Sequence, residues 1–136
     1  MSNVERFKLF LEEKNLYMEE FNPESGVTFF RVEQSLENGG DITLLIAFND
    51  MFVEAFATNY IKVDNPLRKE RILELINDLN TEFRFVKFYL AENSINVQST
   101  NFNGEVFSPV DAFECLIAVL RAADEAYPKF MRALWG

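Results

Sequence analysis

Histidine is missing altogether, and cysteine occurs once, at Cys115, in a chain of 136 residues. The first absence removes the usual neutral-pH general base and the commonest metal-binding imidazole. The second excludes an internal disulfide and a cysteine-based zinc cluster. Glycine is scarce, and Gly26, Gly39, Gly40, Gly104 and Gly136 build neither a Gly-x-Gly-x-x-Gly turn nor a phosphate-cradling Gly-x-x-x-x-Gly-Lys loop. No Ser-x-x-Lys pair occurs, so a serine nucleophile has neither histidine nor lysine at motif spacing. Basic residues are outnumbered 13 to 22, giving a formal charge of −9 at pH 7 and a pI near 4.5. That balance opposes nucleic-acid backbones and anionic membrane surfaces. No apolar run approaches the roughly 20 residues of a membrane span, and the first residues lack a basic segment followed by an apolar one. The expectation is a cytoplasmic protein with no nucleic-acid or membrane partner, no metal, no cofactor and no catalytic residues.

Against these absences stand 15 phenylalanines and a hydrophobic content of 49%. A chain of this length can bury one ordinary core, and no composition shift, low-complexity tract or repeat divides it, so residues 1–136 read as one domain. Ser2 with Glu5 forms a capping box for a first helix over about residues 3 to 14, with Val4, Phe7, Phe10 and Leu11 at helical spacing and Asn15 as a left-handed stop. From Val27 the period becomes two: Val27 to Leu36, the turn Glu37-Asn38-Gly39-Gly40, then Asp41 to Phe48 form a hairpin. Asn49-Asp50 turns into a third strand, Met51 to Val63, completing a meander. Residues 16–26 admit either an extra edge strand or a loop. Asn65-Pro66 caps a second helix whose Ile72, Leu75, Ile76, Leu79 and Phe83 share a face. Phe85 to Leu90 and Ser94 to Phe102 form a second hairpin, with Asn103-Gly104 closing it, and Ser108-Pro109 opens a long helix that Pro128 interrupts or kinks. The predicted fold is α+β, an antiparallel sheet packed against helices in the order α-β-β-β-α-β-β-α.

Two surfaces carry more apolar area than a simple surface element needs. The third helix gathers Asp111, Glu114, Arg121, Glu125, Lys129 and Arg132 into a polar sector of roughly 80°. Beside its bulky Phe113, Leu116, Ile117, Leu120 and Tyr127 runs a small-residue side of Ala112, Cys115, Val119, Ala122 and Ala126. That side is a candidate homodimer surface, the alternative being packing within the chain. Strand Met51 to Val63 places Phe52, Phe56 and Tyr60 on one face, interrupted by Glu54 and Thr58. These rings are a candidate interaction surface for a protein client, unless the first helix or the terminal segment covers them. The carboxylate pairs Glu12-Glu13, Glu19-Glu20 and Asp50 with Glu54 lack metal-loop spacing and read as solvated surface.

From Ile72 onward, Leu79-Asn80, Phe85-Val86-Lys87-Phe88-Tyr89, a polar turn, Ser94 to Thr100 and a helix carrying Ala126-Tyr127-Pro128 resemble the YbjN-like family, with Asn77, Asn80, Phe85, Lys87 and Tyr89 bearing the likeness. The first half matches only in pattern, and the turn Glu92-Asn93 lacks the glycine of many relatives. The resemblance implies a fold similar to class I type III secretion chaperones, which are small acidic homodimers that bind extended segments of partner proteins. YbjN-like proteins are described as regulators of sensory transduction or stress responses, and neither group brings catalytic residues. The expected function is therefore a non-enzymatic protein-binding module, a chaperone-like adaptor or regulator. The alternative is a small-molecule regulator with an aromatic-lined pocket between sheet and helices, in which Arg31, Arg84 or Lys87 orients the ligand.

Overall fold

The computed structural model of the chain describes residues 2–24, 26–48, 52–102 and 108–136. Its elements are α1 (Asn3–Glu13), β1 (Glu19–Glu24), β2 (Val27–Ser35), β3 (Asp41–Phe48), β4 (Phe52–Lys62), a 3-10 turn at Pro66–Arg68, α2 (Lys69–Glu82), β5 (Lys87–Ala91), β6 (Ser94–Phe102) and α3 (Pro109–Trp135). The fold is α+β as the periodicities predict, and residues 16–26 supply an additional edge strand. All strand pairings are antiparallel, and the sheet order is β1-β2-β3-β4-β6-β5. The expected turns at Asn49-Asp50 and Asn103-Gly104 lie outside the described residues.

The helix starts follow from their caps. Ser2 Oγ accepts from the Glu5 amide and Ser108 Oγ from Asp111 at the starts of α1 and α3, each satisfying a donor that the first helical turn leaves orphaned. Asn65 Oδ1 instead accepts from Leu67 at the head of the 3-10 turn, and α2 follows from Lys69 with no side-chain cap of its own. Asn15 ends α1 with a positive φ of 55°.

Pro128 does not break α3, which runs from Pro109 to Trp135. A proline has no N–H for the carbonyl four residues back, here Asp124. The Asn38 side chain supplies the missing donor, its Nδ2 lying 3.0 Å from Asp124 O, while the Asn38 amide donates to Asp124 Oδ1 at 2.9 Å. The β2–β3 turn is thereby strapped to the helix. Tyr127 lies across that turn so closely that a Cβ at Gly39 or Gly40 would come within 3.2 Å of its ring, and both glycines have positive φ.

One face of the sheet carries the core. Phe7 of α1 meets Phe30 and Phe48, with ring centroids 5.1 and 5.0 Å away. Phe130 of α3 meets Phe88 and Tyr60 at 5.7 and 6.0 Å. Ile42, Leu44, Ile46, Val53, Ala55, Ala57, Ile95 and Val97 are the strand residues beneath the helices. The small-residue side of α3 also faces this core: Ala112, Cys115, Val119, Ala122 and Ala126 are all buried within the single chain. The candidate homodimer surface is therefore corrected to an internal one, because small side chains let the helix axis approach the sheet closely.

Candidate functional site

Strand alternation assigns the other sheet face. Antiparallel register aligns two rows across it. One runs Phe21, Phe29, Ala47, Glu54, Thr100; the other runs Glu19, Arg31, Leu45, Phe56, Gln98, Lys87. The helices pack on the opposite face, where the core cluster lies, and among the described residues no helix covers these rows.

Rings are the main cover of this face. Phe21 stacks on Phe29 at 5.2 Å with planes 15° apart, and Phe29 meets Phe56 edge to face at 6.2 Å. Phe29 and Phe56 belong to β2 and β4, so their rings close over the intervening β3. That arch explains why Leu45 and Ala47, on the face away from the helices, are each only 8% exposed. Phe21, Phe29 and Phe56 themselves remain partly open to solvent.

Of the sequence-predicted rings, Phe52 and Phe56 fall on this face and Tyr60 does not. Pairs Ala57 with Val97 and Ile61 with Ile95 leave Thr58, Asn59 and Tyr60 opposite Asn96 alone. Asn59 takes a positive φ of 57° in this bulge, which breaks the alternation and turns Tyr60 toward α3. There Tyr60 is 8% exposed, and its hydroxyl donates to Ala123 O at 2.6 Å. Burial, reinforced by Tyr127 and Asp124, holds its phenol pKa well above the ordinary value. Phe21 and Phe29 complete the surface in its place. Their signal in the sequence is Phe29-Phe30, adjacent rings that period two must send to opposite faces.

Both edges of the sheet are blunted. On β5, the Asn80 carboxamide mimics a neighbouring strand: its Oδ1 accepts from the Phe88 amide at 2.8 Å and its Nδ2 donates to Phe88 O at 3.0 Å. On β1, Pro23 lacks a donor, and Glu20 is paired with Lys8 at 2.9 Å. Charged and proline-bearing edges resist strand addition. The face, rather than an edge, is the accessible feature.

Charge on the open face is mixed. Arg31 pairs loosely with Glu33 at 3.7 Å, both solvated. Glu54 is half-buried and makes no ion pair among the described residues. Burial pushes the Tyr89 phenol up, and the charge of Glu54 adds to that shift.

Of the candidate ligand-orienting cations, two come together and the third stands apart. Arg31 lies on β2, whereas Arg84 and Lys87 border a hollow at the start of β5 with Phe85, Val86, Gln98, Ser99 and Thr100. The space between sheet and helices is filled by Phe7, Phe30, Phe88, Phe130 and their neighbours. Cys115 is buried in that layer, with Asn101 Nδ2 2.7 Å from its Sγ, and burial pushes its thiol pKa up. This is the environment of an inert thiol. Among the described residues, no three His, Cys, Asp or Glu side chains gather as a metal site, and no helix is long and apolar enough to cross a membrane. Comparison with protein-family models and with curated proteins finds no match, so the YbjN-like resemblance is carried by the residue pattern alone.

Proposed function

We propose that this chain is a non-enzymatic protein-binding module, an adaptor or regulator of chaperone-like type, that docks a basic, extended segment of another protein on the open sheet face. The observation that carries the reading is the arch of rings Phe21, Phe29 and Phe56 with Leu45 and Ala47 beneath it, an apolar patch on a face that, among the described residues, the helices leave bare. Contiguous exposed apolar patches mark interaction sites more often than scattered single residues do. Aromatic side chains supply large contact area there with little conformational freedom to lose.

Charge favours a cationic occupant. A second copy on the same face would bring together two chains of −9 each, whereas a Lys- or Arg-rich segment relieves that excess. The YbjN-like resemblance supports the same class of function.

The test combines selection and mapping. A randomised peptide library is selected on the wild-type protein, and the enriched peptides are titrated into isotope-labelled protein while amide resonances are followed. The expected result is enrichment of peptides combining basic and apolar residues, with shifts centred on β1, β2, β3 and β4. Phe29→Ser is expected to weaken binding by about tenfold or more. The reading is overturned if nothing is enriched or if the shifts map to α2 and α3. A dimer in light scattering that buries Phe29 and Phe56 would likewise replace the client with a second copy.

A further inference from the structure

Among the described residues, Glu54 is the acidic side chain set between the rings of the open face, and no cation pairs with it. Its cross-strand neighbours are Ala47 on β3 and Thr100 on β6, and Phe52 and Phe56 flank it along β4. The basic residues of this face lie away from it: Arg31 and Lys87 are on β2 and β5, each two strands from β4, about 10 Å at the usual strand spacing. Lys62 is eight residues along β4, and Arg84, which borders the hollow at Thr100, makes no ion pair with it. Among the described residues none forms an ion pair with it. A half-buried carboxylate beside apolar rings gives up part of its hydration without compensation.

We infer that Glu54 is the specificity-determining residue of the client site, receiving the ammonium or guanidinium of one Lys or Arg side chain whose aliphatic stem lies along Phe56 and Phe29. The inference rests on the client-binding reading above and adds to it the chemistry of one client position. The geometry suits such a side chain in two ways. The carboxylate accepts a charge-assisted hydrogen bond from the cationic head. The ring arch offers apolar and quadrupolar surface to the stem and the charge together. Because Ala47 lies beneath the arch and is nearly closed to solvent, the client side chain lies across the rings rather than between them.

A charge set among the rings of an open sheet face also discourages self-association, and this simpler role makes a different prediction. The discriminating experiment repeats the peptide selection on Glu54→Gln, which keeps the shape and removes the charge, after thermal unfolding has confirmed that the variant folds as the wild type does. Glu54→Asp serves as a second variant that keeps the charge on a shorter stem. The expected result is a Lys or Arg preference at one peptide position on wild type that is lost on Glu54→Gln and retained on Glu54→Asp, with apolar preferences unchanged. The affinity of a wild-type-selected peptide for Glu54→Gln should fall about tenfold. If wild type and Glu54→Gln select the same peptides, and the variant differs only in forming larger species in light scattering, Glu54 is a solubilising residue and the inference fails while client binding stands. If neither protein selects any peptide, the client-binding reading itself fails.

Discussion

The two faces of the sheet use the same residue type to opposite ends. Toward the helices, Phe7, Phe30, Phe48, Phe88 and Phe130 are buried and meet rings from other elements. Away from the helices, Phe21 stacks on Phe29 and Phe29 meets Phe56, and together they shade Leu45 and Ala47 without closing the face. A high phenylalanine count therefore has two causes in one chain. Phe7, Phe30, Phe48, Phe88 and Phe130 build an interior across two layers, and Phe21, Phe29 and Phe56 build a surface whose rings are ordered by contact with each other. What distinguishes the faces is covering, and covering is decided by where α1, α2 and α3 pack.

The largest effect should come from emptying the covered face. Phe130→Ala removes a ring held between Phe88 and Tyr60, and a buried Phe→Ala change costs about 3–5 kcal/mol. Chemical denaturation should show a destabilisation of that order, and a cost near that of a surface site would mean the ring is not the interior anchor described above.

Next in size is the edge. Asn80→Ala leaves the Phe88 N–H and C=O without their carboxamide partner, a loss of roughly 1–3 kcal/mol for a part-buried pair. It also opens β5 to strand addition, so the variant should self-associate with rising concentration beyond whatever mass the wild type shows. Light scattering across a dilution series reads this directly. An Asn80→Ala protein that keeps the wild-type mass at every concentration would show that the edge is protected by other means.

Tyr60 makes a smaller contribution with a particular pH signature. Tyr60→Phe removes the bond to Ala123 O, about 1 kcal/mol at neutral pH. The folded-state phenol pKa is raised above the ordinary 10.0, so below that value both states keep the proton and the full stability is present. As pH rises past 10.0, the unfolded chain loses the proton first, and stability declines by up to about 1.4 kcal/mol per pH unit. Unfolding midpoints followed into alkali should fall more steeply for wild type than for Tyr60→Phe. Parallel curves would place the ring in solvent rather than against α3.

The parts of this architecture that were legible in the sequence are those set by local chemistry. Ser2, Asn65 and Ser108 announce helix starts because a side-chain oxygen and a bare amide lie within three residues of each other. The Asn38-Gly39-Gly40 turn announces a hairpin because only such residues take its positive φ cheaply. β1 was ambiguous because Glu19-Glu20-Phe21-Asn22-Pro23 has the composition of a loop, and pairing with β2 makes it a strand. Period two puts Tyr60 beside Phe52 and Phe56, whereas the bulge at Asn59 depends on how β4 meets β6, and no periodicity within β4 records it. The small-residue side of α3 fits a sheet or a second helix equally well, so its partner was not readable from spacing. Pro128 illustrates the same limit, since the group that rescues its helix, Asn38, is 90 residues away in sequence.

The comparison of faces is sharpest where the expected stability change is smallest. Phe21 lies on the edge strand, partly exposed, and contributes to the open face through one stacked contact with Phe29. A cross-strand aromatic pair of this kind adds about 0.2–1 kcal/mol, so Phe21→Ser should move the unfolding midpoint little. If the open face is a docking surface, the same substitution should weaken a selected peptide measurably, because Phe21 extends the apolar row to the rim of the sheet and holds Phe29 in its orientation. Stability and binding would then separate at one residue, as they cannot at Phe130. Loss of both in equal measure would instead mark Phe21 as part of a second small core, and the open face would have to be read as structural along β1 and β2.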